Sequence, residues 1–407
     1  MKPNKIIGGV MLVAGTQTGA GMLALPITTG ASGFIGSMAL FLLCFLYMLI
    51  SLFLLLETNY YSASKRTNII SMAKSHIGSW GATIAAISFA LLMYSALSAY
   101  ISGCNEIIVN TLNHYNLGFI NQNKITPTIL ALIFSMIIYF GNNIIDYANR
   151  ILMIALVVSY LFMLIILLPQ TSYANLSTHH FKYLTAALPV VILSFTSHII
   201  LPSLREFLDD DIAQLKIVLI WGSIIPLIIY LLWNLTVIGM IPFEGKINII
   251  SIARDAKPIV ALSNAMGAQA NSSLITDNNH IFSFCAITTS IIGLLLGLRD
   301  FIADGLKVAK NKWNNVPLLF ACVAPPLILI YIWPSIFILA LSYGGVLIAI
   351  LYGILPPIMV WKARYNKNIT SKYTLPGGKA SLILVALGAI VIIFAQIALI
   401  EGLLPSP

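Results

Sequence analysis

The stretch Gly15–Pro26, GTQTGAGMLALP, places three glycines, three hydroxyl or amide side chains and a proline inside an apolar run long enough to cross a bilayer. Glycine and proline are the poorest helix formers, so this pattern predicts a helix interrupted at mid-span. Irregular backbone in lipid leaves amides and carbonyls unpaired at several kcal/mol each, and it survives only where it lines a protein cavity. At such a break the first half-helix ends in free carbonyls, and the second begins with free amides at the positive end of its dipole. That pair of ends matches a zwitterion such as an amino acid, with no charged side chain required. The candidate ligands are the backbone and side chains of Ala14, Gly15, Thr16, Gln17, Thr18, Gly19, Ala20 and Gly21. The amides of Thr18 to Gly21 suit a carboxylate, and the carbonyls of Ala14 to Thr16 suit an ammonium group or a cation. Glycine belongs there because only a residue without a side chain lets a ligand approach the backbone.

A second stretch repeats the pattern. SFTSHIILPSL, Ser194–Leu204, again puts polar residues at mid-span with a proline a few residues on. Here the carbonyls near Ser194 and Phe195, with Thr196 beside them, are candidates for the ammonium or cation. Setting Pro26 against Pro202, an offset of 176 residues, aligns Gly21 with Ser197 and Met22 with His198. The helices that follow, from Phe34 and Leu215, keep nearly that offset. The second set begins after an odd number of crossings, so the pattern is that of an inverted repeat with discontinuous first helices. His198 is the one ionisable side chain placed near mid-membrane, where such residues are costly and usually functional. Its imidazole titrates near neutrality in water, which suits a coupling proton; a neutral histidine bonded to substrate or backbone is the alternative. Tyr94, Ser98 and Ser102 share one helix face, with Tyr100 nearby, and a phenol there reaches a bound carboxylate. Thr289 and Ser290 offer oxygen ligands to an ion. Tyr343, before Gly344-Gly345, is placed to cap the outer side of the pocket. For each of these, plain helix packing is the competing account.

The elements that must hold these residues are membrane helices. The chain is 59% hydrophobic and 9% charged over 407 residues, so no soluble domain could hide its apolar runs. About eleven spans are expected, at 6–29, 34–57, 80–106, 125–141, 147–168, 185–205, 215–240, 281–303, 316–334, 335–361 and 380–402. Residues 1–168 then form a first five-helix repeat, 185–361 an inverted second, and 380–402 an additional helix. Of the 22 basic residues, all but Lys124, Lys182, Lys246, Arg254 and Lys257 fall on the side of the N-terminus, which places that side in the cytoplasm. Basic residues so placed are topology signals, and no nucleic-acid partner is expected. Cys44, Cys104, Cys285 and Cys322 sit in or at the ends of apolar segments, which argues against a disulfide framework or a thiolate metal cluster, and no cofactor is expected. The first apolar run lacks a small-residue cleavage site and reads as the first span. Asp209, Asp210 and Asp211 read as a solvated acidic turn. A membrane enzyme would need clustered catalytic side chains, and the six histidines are scattered apart from His179-His180. A channel would need a filter repeated around a pore, and none is legible.

AGTQTGAGMLALP followed by GASGF resembles the first-helix signature of bacterial aromatic and hydroxy amino acid permeases, the tyrosine- and tryptophan-specific members of the amino acid/polyamine/organocation superfamily. SFTSHIILPSL is similar to that family's sixth-helix motif, and SAYISG (Ser98–Gly103) and GLRDFIADGL (Gly297–Leu306) resemble its third and eighth helices. The likeness covers nearly the whole chain. It implies an all-α, leucine-transporter-like five-plus-five inverted repeat with discontinuous helices one and six, in the bacterial cytoplasmic membrane. It also implies import of an aromatic amino acid by symport with an ion, usually a proton, with sodium the alternative through Thr289 and Ser290. The GAGMLA wording leans toward tyrosine. Thr196, Ser197 and Ile199 stand where the family commonly has glycine or aromatic residues, which makes the second break tighter or more polar.

Overall fold

The computed structural model describes residues 5–19, 21–62, 67–115, 122–309, 312–367 and 369–405. These residues form helices and connecting turns, with a lone antiparallel bridge between Gly33 and His179. α1 (Lys5–Gln17) and α2 (Gly21–Thr29) are halves of one interrupted helix, and a 3-10 turn at Gly30–Ser32 leads into α3 (Gly33–Tyr60). Then come α4 (Ile69–His76), α5 (Ser79–His114), α6 (Gln122–Phe140), α7 (Asn142–Leu167) and the short α8 (Tyr173–Ser177). The second interrupted helix is α9 (Leu184–Ser194) and α10 (Leu201–Phe207), followed by α11 (Ile212–Met240). α12 (Ile249–Ala253) and α13 (Pro258–Gln269) precede α14 (Ser273–Leu306), α15 (Lys312–Ile332) and α16 (Phe337–Ile348). A π-helical stretch, Ala349–Ile354, joins α16 to α17 (Leu355–Trp361), and α18 (Gly378–Ile400) ends the bundle.

Among the described residues nine helical stretches are long and apolar enough to cross a membrane, with Lys5–Gln17 and Ile125–Phe140 shorter. Two of the eleven expected spans are not among them: the first, because the break leaves α1 short and α2 runs almost directly into α3, and the fourth, because Ile125–Phe140 is too short. Leu43, Ile165, Phe320 and Phe394 stand exposed on helix surfaces, as lipid-facing side chains do. This is a multi-pass membrane protein.

Local chemistry explains both breaks. In α1 the Thr16 hydroxyl donates to the Leu12 carbonyl, and the glycines that follow favour no helix. In α9 the hydroxyls of Ser194 and Thr196 turn back to the carbonyls of Val190 and Ile192. Pro202 then occupies the first turn of α10, where its missing N–H costs nothing. α1 packs on α11, α2 on α9, and α3 on both α9 and α11. The fully buried Phe41, Phe195, Tyr230 and Trp233 lie in this core.

The end of the bundle that carries the N-terminus is tied by ions. Glu57, with 0% of its side chain exposed, receives both arms of Arg364, the Tyr61 hydroxyl and the Leu375 amide. Arg205 binds Asp210 and the main-chain and side-chain oxygens of Asn59, and its guanidinium lies 3.8 Å above the Tyr60 ring. Lys5 pairs with Asp209, and Asp211 caps α11. Of the turn expected to be solvated, Asp209 and Asp211 are exposed, while the Asp210 side chain is only 11% exposed, pairs with Arg205 and also meets Lys372. Arg205 is five residues from Asp210, but Lys5 and Lys372 lie far away in sequence, so no local pattern announced them. At the other end, Gly33 packs so tightly on the Thr178 carbonyl that a Cβ would sit 2.1 Å from it. Gly33 also has φ +81°, the left-handed region that favours glycine.

His76, at the end of α4, is 6% exposed and lies edge-on to Tyr61. Burial, and then the charge of Lys367, hold its pKa below the ordinary 6.5. The unfolded chain binds a proton that the folded one resists, so stability is undiminished above pH 6.5 and falls as pH drops below it. The loss is at most about 1.4 kcal/mol at pH 5.5. Thermal unfolding in detergent at pH 7.5 and 5.5 checks this. His76→Gln is expected to shrink the drop between the two, and an equal drop in wild type and variant contradicts it.

Candidate functional site

The two breaks meet inside the bundle. Gln17, the last residue of α1, donates through Nε2 to Ser197 Oγ in the second break (3.0 Å) and to Ser223 Oγ on α11 (3.2 Å). Gly21, the first residue of α2, lies against Ser194, the last residue of α9. A Cβ on Gly21 would sit 2.9 Å from Ser194 Oγ and 3.6 Å from its Cα. From α11 the Tyr230 hydroxyl donates to the carbonyls of Gln17 (2.6 Å) and Ser194 (3.0 Å), so the last residue of each first half-helix reaches one phenol. Phe195 fills the space beside them, edge-on to Phe41, Phe45 and Tyr230.

The other expected residues are spread over several elements. Ala14 is buried and its carbonyl accepts the Thr18 amide at 2.8 Å, so that amide is already used. Gly19 faces α14, where a Cβ would lie 2.7 Å from Ser290 Oγ. Ala20 lies outside the described residues. Gly15 and Thr16 turn outward from the bundle, and a Cβ on Gly15 would meet nothing within 4 Å. On α5, the Tyr94 hydroxyl donates to the Ala321 carbonyl of α15 (3.1 Å) and Ser98 to its own helix, while Tyr100 is buried. The Thr289 and Ser290 hydroxyls donate to carbonyls of α14 itself. Tyr343 is 43% exposed on the outer surface of α16.

His198 looks the other way from the break. It is 1% exposed, stacks on Tyr352 at 4.5 Å between ring centroids, and bonds through Nε2 to Ser51 Oγ at 3.1 Å. Ser51 spends its own hydrogen on the Tyr352 carbonyl (2.6 Å), so it must accept, and Nε2 of His198 carries the proton. His198 and Tyr352 line a cavity of about 440 Å³ bordered by Asn68, Phe89, Pro202, Asp300 and Asp304. Its walls come from α4 and the C-terminal end of α14, and Asn59 of α3 bonds both Arg205 after the second break and Thr67 before α4. The cavity therefore lies toward the end of the bundle where the chain begins.

Polar atoms at this place lack protein partners: Gln17 Oε1, Thr18 Oγ1 and His198 Nδ1 are all buried without a hydrogen bond. Other buried polar atoms of the bundle, such as Trp233 Nε1 and Asn279 Oδ1, are also unpaired, but these three lie on the two breaks and leave bonds there for water or a ligand to fill. A family model for tryptophan/tyrosine permeases matches residues 2–396. The chain belongs to the tryptophan/tyrosine permease family. It is 31% identical over 405 residues to tyrosine-specific transport system 1 of Haemophilus influenzae, covering 99% of each chain. It is 30% identical to a tryptophan-specific transport protein of the same species, over 97% of this chain and 96% of the relative. A low affinity tryptophan permease of Escherichia coli is 28% identical over 100% of this chain and 98% of its own. These are transport proteins, and the permease is not an enzyme.

Sequence reasoning missed Tyr230, Ser223, Ser51 and Tyr352. All four lie in helices that read as continuous and apolar, with no break to draw attention. The available signal was a few hydroxyls in the apolar helix after each break, Ser51 in α3 and Ser223 and Tyr230 in α11 among them.

Proposed function

We propose that this permease imports an aromatic amino acid, tyrosine first, together with a proton, across the bacterial cytoplasmic membrane with its N-terminus inside. Opening alternates between the two ends of a five-plus-five inverted repeat, residues 1–168 and 185–361, with 380–402 added outside it. The observation that carries the reading is the juxtaposition of the two breaks at Gln17, Gly21 and Ser194, with unpartnered polar atoms around them. The substrate carboxylate goes to the amides of the first break beyond Thr18. The ammonium goes to Gln17 Oε1 and the half-helix carbonyls. The ring projects toward the helices that carry Tyr100, Phe195 and Thr289. His198 carries the coupled proton: it is the imidazole at the floor of the cavity, its Nε2–H is held by Ser51, and Nδ1 is free to receive a proton. Sodium is the competing ion, through Thr289 and Ser290.

The head-group assignment is testable by shape. Tyramine keeps the ring and ammonium of tyrosine and lacks the carboxylate. Tyrosine is expected to raise the unfolding temperature of the purified permease by several degrees at saturation, and tyramine by less than one. Equal stabilisation by the two contradicts a carboxylate held at the break.

A further inference from the structure

We infer that Tyr230 is a positioning residue for transport: its hydroxyl fixes the carbonyl ends of both broken helices, and through them the place where the substrate's head group is held. The inference rests on the function proposed above. A half-helix that stops in a membrane presents carbonyls that have no partner in their own helix and carry the negative end of its dipole. Two such ends brought together repel, and each unpaired carbonyl is costly where water is excluded. Broken-helix transporters commonly satisfy such ends with a bound cation. Here a neutral donor stands between them: one phenolic hydrogen is shared by the Gln17 carbonyl at 2.6 Å and the Ser194 carbonyl at 3.0 Å.

The donor is held from all sides. Tyr230 is fully buried, and its ring is clasped edge-on by Phe195 at 5.3 Å and Phe41 at 6.5 Å between centroids. The same α11 supplies Ser223 to the Gln17 side chain, so α11 grips the end of α1 by main chain and side chain at once. Gln17 in turn reaches Ser197, and Gly21 lies on Ser194, so shifting either carbonyl displaces the whole junction. The hydroxyl is thus bonded to the frame of the site and acts on substrate through that frame.

Tyr230→Phe removes one oxygen and leaves the packed ring. Its effect is read from initial uptake of labelled tyrosine, tryptophan and phenylalanine into proteoliposomes under a fixed pH gradient, with protein amount normalised by size-exclusion profile. The expected result is a half-saturation concentration raised at least tenfold for all three substrates alike, with the maximal rate kept within about threefold. Three results overturn the inference: an unchanged half-saturation concentration; a fall in maximal rate alone, which marks Tyr230 as packing; or a loss confined to one substrate, which marks a contact with the ring. If the wild-type permease takes up none of the three, the functional reading fails before this one is reached.

Discussion

Gly21→Val is expected to abolish saturable binding of aromatic amino acids in a permease that still inserts and folds. A Cβ at residue 21 already falls 2.9 Å from Ser194 Oγ, and that hydroxyl is committed to the Val190 carbonyl. The branched carbons of valine extend farther, so the end of α9 must move away from the start of α2. That separation stretches the Gln17 to Ser197 bond and both bonds to Tyr230. Valine also blocks approach to the amides and favours continuing the helix over breaking it. Gly21→Ala is expected to weaken binding about tenfold, since one methyl asks for a shift of a few tenths of an ångström. Gly19→Val, which drives into Ser290 from the other side, is expected to match Gly21→Val. Gly15→Ala is the control: its side chain points to open space, and binding is expected to stay within twofold of wild type. Binding by calorimetry or scintillation proximity, with the fold checked by thermal unfolding, reads all four. Wild-type affinity in Gly21→Val contradicts the assignment of the site to the breaks.

His198→Gln is expected to separate exchange from accumulation. Glutamine keeps a donor for Ser51 and cannot titrate near neutrality, so the Ser51 and Tyr352 contacts survive while the proton carrier is gone. Counterflow, in which labelled substrate exchanges against unlabelled substrate across the membrane, is expected to stay within about threefold of wild type. Accumulation under an imposed pH gradient is expected to fall to the level reached with no gradient. If exchange and accumulation fall together, His198 is a substrate ligand. If the variant concentrates substrate like the wild type, His198 is structural.

What the sequence reveals about this molecule depends on whether the cause is local. Both breaks were legible because poor helix formers inside an apolar run are a one-dimensional signal, and the structure interrupts the chain after Gln17 and after Ser194. The positions of His198 and Gly21 followed from the same signal. Tyr230 was not legible: a tyrosine in an apolar helix is ordinary, and what makes it matter is that two carbonyls 177 residues apart in sequence converge on it. The same holds in part for Asp210: Arg205 lies five residues before it, but Lys372 comes from a distant part of the chain. Tyr94 shows the reverse. Spacing put its hydroxyl on a plausible face, but the neighbouring α15 offers the Ala321 carbonyl, which no periodicity on α5 reports. Gly15 and Thr16 share the break's sequence yet face outward, because a helix that ends at Gln17 turns them by its own 3.6-residue pitch.

Import of an aromatic amino acid driven by protons is the function proposed for this permease. Its most direct test is accumulation of labelled tyrosine, tryptophan and phenylalanine in proteoliposomes of the purified permease, with proton and sodium gradients imposed separately. Tyrosine is expected to accumulate severalfold when the interior is alkaline, a protonophore to collapse this, and an inward sodium gradient alone to give no accumulation. Accumulation driven by sodium and indifferent to the pH gradient, or no uptake of any of the three amino acids, would contradict it.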